Sequence, residues 1–174
     1  ALQTLTLTNS NGAVFSAAVT TGTSVVLSDT TDAQTITFAG NLTTPTLTTT
    51  ANGYHLELLG GTTSVTNATS FLNTGNLVLG NASTDTLTFT GGVIATAPAA
   101  ISAAGTINTT NTAMSLGDAG TALTLTANLT LNTTGGNASA GGSLTLGGAV
   151  YGTTANTESL TLNAGSTGAV SVVG

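Results

Sequence analysis

The sequence predicts an all-β protein, read first as a β-solenoid with irregular coils, and three observations carry that expectation. Apolar residues and threonine alternate along most of the 174-residue chain, the period of a strand with one buried face. Clusters of Gly, Asn, Ser and Asp punctuate the alternation, which is turn chemistry. Strand-like segments also recur at related spacings, as stacked coils require.

The elements follow in chain order. ALQTLTLTN (residues 1–9) opens the chain as a strand, and QTITFAG (34–40) and TPTLTTT (44–50) continue the alternation. HLELL (55–59), NLVL (76–79) and DTLTFTGG (85–92) are further strands, separated by LGGTTS and LGNAST turns. Thr, Val and Ile suit such pleated, half-buried settings. VIATAPAAISAAG (93–105) is the best helical candidate, but Pro98 interrupts it and both ends run into strand-like text. TALTLTANLTLNTT (121–134), SLTL (143–146), SLTL (159–162) and GAVSVVG (168–174) complete the series.

Spacing sets the repeat. Asn128 to Ser143 is 15 positions and Ser143 to Ser159 is 16, whereas Leu77 to Leu87 is 10 and Leu87 to Ile107 is 20. The period is ragged, which implies imperfect coils instead of a strict short-motif solenoid. On this reading Leu144, Leu146, Leu160 and Leu162 stack inward as two rungs of one ladder, with Thr145 and Thr161 outside and GTTANTE between. The alternative fold is an antiparallel β-sandwich, a jelly-roll-like filament subunit. Asn52-Gly53 between alternating runs, and more weakly Asn11-Gly12, are the two-residue hairpin signals that favour it.

Composition narrows function. Charged residues make up 3% of the chain, with six acids, no Lys and no Arg, for a formal charge of −6. Phosphate neutralisation is therefore unavailable, which excludes nucleic-acid partners and basic attachment to anionic membranes. No Cys is present, so no disulfide staples the fold. No apolar run approaches the roughly 18 residues of a membrane-spanning helix, and an export signal would lie outside this sequence. The chain reads as a single all-β domain over residues 1–174, either one subunit of a polymer or a piece of a longer repeat protein. It is expected to be secreted and cell-surface, and the lack of trypsin sites suits that setting.

Residues 128–174 carry a further signal in Leu144, Thr145, Leu146, Gly148, Val150, Leu160, Thr161, Leu162, Gly165 and Val170. This text resembles the repeats of filamentous-haemagglutinin-like and autotransporter-type bacterial surface proteins. The resemblance covers roughly the last quarter of the chain. It implies a parallel right-handed β-solenoid at a cell surface, acting in adhesion, biofilm or surface coating without catalysis. The family's amino-terminal secretion domain has no recognisable counterpart here, and its proteins are usually much longer.

No residue is assigned a catalytic, cofactor-binding or metal role. His55 and Glu57 share one side of a strand, but no second His, Cys or carboxylate cluster accompanies them, so they read as an exposed strand pair. Calcium at Asp29 and Asp32, or at Asp118, would need about six oxygen ligands, and the GGxGxDxUx nonapeptide is missing. Turn capping is the simpler role. The sequons at Asn41, Asn67, Asn128 and Asn132 arise readily in Asn- and Thr-rich text.

The runs Thr4-Leu-Thr6-Leu-Thr8, Thr86-Leu-Thr88-Phe-Thr90 and Thr124-Leu-Thr126 resemble ice-binding threonine ladders, yet they are irregularly spaced, and a threonine face that solvates a sheet is the simpler reading. Both chain ends read as strands without caps, so terminal strands or coils are expected to pair between copies. The expected function is thus a structural or adhesive filament protein built by self-association, with glycans as further partners. A surface-layer lattice protein and an ice- or glycan-binding module are the alternatives.

Overall fold

A computed structural model describes residues 2–136 and 140–174. Among these residues there is no helix, and nineteen strands wind into a β-solenoid of about seven turns. The chain opens with β1 (Leu2–Leu7), followed by a first turn of β2 (Ala13–Phe15) and β3 (Val19–Leu27). Next come β4 (Thr35–Phe38), β5 (Leu42–Thr44) and β6 (Thr46–Thr49), then β7 (His55–Leu58), β8 (Thr62–Val65) and β9 (Thr69–Ser70). The fourth turn holds β10 (Asn76–Leu79), β11 (Thr86–Phe89) and β12 (Val93–Ala95). β13 (Ala100–Asn108) with β14 (Met114–Leu116), and β15 (Leu123–Asn132) with β16 (Leu144–Leu146), make the fifth and sixth. β17 (Val150–Gly152), β18 (Leu160–Asn163) and β19 (Val170–Val172) complete the last turn.

Three faces result. The first stacks β2, β4, β7, β10, the front halves of β13 and β15, and β17. A second stacks the start of β3, then β5, β8, β11, the back halves of β13 and β15, and β18. The third runs from β1 through the end of β3 to β6, then from β9 through β12, β14 and β16 to β19. Between β6 and β9 the ladder is bridged by a side chain: Thr49 Oγ1 accepts the Leu72 amide at 2.8 Å and donates to the Ser70 carbonyl at 3.1 Å. Long strands bend round corners, so β13 and β15 serve both the first and second faces.

Every pairing between these strands is parallel, which excludes the sandwich alternative. The one antiparallel contact among the described residues is an isolated bridge between Thr110 and Thr134. Asn52-Gly53 turns a corner instead of a hairpin: the Asn52 side chain donates to the Ser28 carbonyl one coil away, at 3.1 Å. A parallel coil needs the same tight turns as a hairpin, so the local signal was real and its topological reading was not.

The interior is a column of stacked apolar side chains. Ile36, Leu56, Leu77, Ile101 and Leu123 form one such row, in register along the first face. Phe15 stacks on Phe38 with ring centroids 4.7 Å apart, and Phe71 meets Phe89 edge-on at 5.8 Å. Residues 144–146 and 160–163 are not two rungs of one ladder. β16 pairs with β14 and β19 on the third face, while β18 pairs with β15 on the second. The two SLTL segments lie on different faces, with β17 on the first face between them, which is why their 16-residue offset is shorter than the 31 residues from Leu129 to its stacked partner Leu160.

Candidate functional site

His55 and Glu57 project from the first face, both half-buried. His55 Nδ1 accepts the Asn76 amide at 2.7 Å, which leaves the proton on Nε2. Glu57 Oε2 accepts from the Thr37 hydroxyl at 2.8 Å, one coil away. The pair is thus tied sideways into neighbouring coils. Among the described residues, no group of three or more His, Cys, Asp or Glu gathers anywhere.

The remaining acids hold corners. Asp32 Oδ1 accepts the Gly53 amide at 2.8 Å, and Asp29 Oδ1 accepts from Asn52 Nδ2 at 3.3 Å, so each carboxylate clips one coil to the next. Asp118 accepts the Gly120 amide at 2.9 Å, and that bond leads the causes holding its carboxyl below the usual aspartate value. Glu158 is lowered in the same sense, first by the Thr153 hydroxyl at 2.8 Å. Asp85, which the sequence offered no reason to single out, is buried and accepts the Asn81 and Ala82 amides at 2.8 and 2.9 Å. Its signal was the LGNASTD turn, where an acid closes a loop onto preceding amides.

Sequon asparagines also act between coils. Asn41 accepts the Thr62 amide, Asn67 donates to the Thr46 hydroxyl and Asn128 accepts the Ser159 amide. Asn132 accepts the amide and hydroxyl of Thr134.

The three threonine runs part company. Thr4 and Thr6 lie on the third face, Thr124 on the first, and Thr86 and Thr88 on the second. On the third face the outward row Ser70, Ile94, Ser115, Thr145 and Ser171 is broken at Ile94, whereas on the second face successive coils supply matching residues in two long rows. There Thr62, Thr86, Thr106, Thr130 and Thr161 stack in one row, and Thr20, Thr43, Ser64, Thr88, Asn108, Asn132 and Asn163 in a second. The rows alternate with a buried row that includes Leu42, Leu87, Ile107 and Leu131, so both point away from the core. A shallow apolar depression lies beside the third face, lined by Thr69, Gly92, Val93, Ile94 and Ala113, and no titratable side chain faces it.

At the two ends the core is incompletely covered. Leu5, Leu7, Ala13, Phe15 and Val19 at one end, and Val150, Leu160 and Leu162 at the other, pack on the core yet stay half-buried. Val170, Val172 and Val173 at the second end are 48%, 53% and 68% exposed. Comparison of the chain with known protein families, with curated proteins and with solved structures returned no match.

Proposed function

We propose that the chain is an extracellular structural and adhesive element of a bacterial surface, contributing to a filament by end-to-end stacking of solenoid coils. The observation that carries this reading is the regular parallel coil itself, whose ladders and apolar column offer a similar cross-section turn after turn, so that a coil of one copy can continue the stack of another. The half-buried apolar residues packed against the core belong to the first and last described coils, and their stacked neighbours one coil further in are buried. Stacking a second copy continues each ladder. β19 meets the edge of β1, so Val170 and Val172 cover Leu5 and Leu7; β17 meets β2, so Val150 covers Ala13. Completing the burial of such a residue contributes about 1 kcal/mol.

Edge strands in monomeric proteins usually carry charges or proline that block further pairing. None of LQTLTL, AVF, VYG, LTLN or VSV contains either. The repeat text of residues 128–174, similar to that of haemagglutinin-type surface proteins, supports the same reading. Stiffness comes from continuous backbone ladders, and the exterior rich in Thr and Asn supplies contact.

Negative-stain microscopy of the concentrated chain is expected to show unbranched fibres of solenoid width. A charge at each end, Leu5→Asp with Val172→Asp, is expected to leave single particles. A wild-type chain that stays monomeric at all concentrations would sink the proposal.

A further inference from the structure

The second face carries a grid that was invisible in the linear order of the sequence. From β5 to β18 no register shift interrupts its ladders. The single irregularity in the pairing of β13 with β15 falls between Ala103 and Gly105, before the second face begins. Side chains therefore repeat at about 4.8 Å along the stack and about 6.6 Å across it, from strand spacing and two-residue rise.

Three properties mark this face, and the extent of its two unbroken rows separates it from the third face, where the free hydroxyls of Ser115, Thr145 and Ser171 stack in a single row that stops at Ile94. First, its hydroxyls are unused. Those of Thr43, Thr62, Ser64, Thr86, Thr88, Thr106, Thr130 and Thr161 make no hydrogen bond to another described residue. On the first face, by contrast, the Thr37 hydroxyl is spent on Glu57, and near the start of the third the Ser24 hydroxyl is spent on Thr4. Second, neither row contains a charged or aromatic side chain, whereas the first face presents His55, Glu57 and Tyr151. Third, branching at Cβ restricts χ1 of threonine, so hydroxyl and methyl positions follow the backbone repeat.

We infer that this face binds ice, through the two outward rows of Thr, Ser and Asn on β5, β8, β11, β13, β15 and β18. The argument for that occupant is complementarity. Free hydroxyls in a fixed two-dimensional repeat hold water in the same repeat, and the methyl groups between them leave that water few other partners. Joining a layer already ordered to a growing crystal carries little entropic cost, the general advantage of preorganisation. A charged ligand finds no counter-charge here. A sugar polymer finds no aromatic plane to stack on. The inference does not depend on filament formation, since the rows lie along the side of the solenoid.

Freezing-point osmometry tests it with the full chain and two variants in the same strand. The wild-type protein is expected to hold a gap between melting and freezing and to produce faceted crystals. Thr106→Tyr, at the centre of the grid, is expected to lose most of that gap. Ser102→Tyr, outward on the first face of β13, is expected to keep it, with thermal melts verifying that both variants fold. Round crystals and no gap for the wild type, or equal loss in both variants, would overturn the inference. Binding of the wild type to crystalline cellulose or chitin with no effect on ice would overturn it as well, by giving the face to a polysaccharide.

Discussion

Thr63 occupies a place in the inward row of the second face where Leu42 and Leu87 are its stacked neighbours. It is buried, and its hydroxyl finds no partner. A buried polar group left unpaired costs stability, and replacing it by an isosteric methyl removes the cost. Thr63→Val is therefore expected to stabilise the fold by about 1 kcal/mol, read as a higher melting temperature. Tyr54 gives a second residue-scale expectation. Its ring is fully buried, and its hydroxyl donates to the Leu27 carbonyl at 3.3 Å while accepting the Thr50 amide at 3.2 Å. Burial raises its pKa above the ordinary 10.0, outweighing the Thr50 contacts that lower it. A group whose folded pKa is raised contributes stability that is whole below the unfolded pKa and is lost as pH climbs through the folded one. Thermal melts of the wild type should thus fall steeply above about pH 10, and those of Tyr54→Phe less so.

At the scale of elements, the corners decide how closely coils approach. Gly60 follows β7, and a Cβ placed there would lie 2.3 Å from the Gly40 carbonyl oxygen of the preceding coil. Gly40 is packed in the same way, and a Cβ added there would run into the backbone of Ala17. Backbone therefore lies directly on backbone along this corner, and there is no flexible side chain to give way. Gly60→Ala is expected to push neighbouring coils apart and to destabilise by about 1–3 kcal/mol, measured by denaturant unfolding. Gly60 was legible as a turn residue in LGGTTS, whereas Gly40 closed the strand-like run QTITFAG, and the stacking of the two was not legible. Contact between corners belongs to residues a coil apart, and no local window contains both.

Across the whole molecule, stability comes from burial and backbone ladders. With no Lys or Arg in the chain, the carboxylates repel one another without internal cations to offset them. Salt screens that repulsion over about 10 Å or less, and there are no Lys or Arg ion pairs to weaken. The melting temperature is expected to hold or rise on going from low to high sodium chloride. A marked fall would mean that an attractive charge interaction had been overlooked.

By itself the sequence determined the all-β class, the inward and outward parity of the strands with clear alternation and the lack of Lys and Arg ion pairs. Those follow from a two-residue period and from composition, both local properties. It did not determine short or irregular strands such as β3, β8 and β12, the last two of which fell in text read as a turn and as the best helical candidate. Only the tertiary structure decided which strands are neighbours. The step between stacked residues is 20 from Ile36 to Leu56, 24 from Leu77 to Ile101 and 31 from Leu129 to Leu160. Corners absorb these differences without disturbing the ladders, because a solenoid constrains the register of its strands and leaves the length of its turns free. The same freedom hid the outward grid: threonines that look irregularly spaced along the chain fall into two straight rows once backbone hydrogen bonding sets the register.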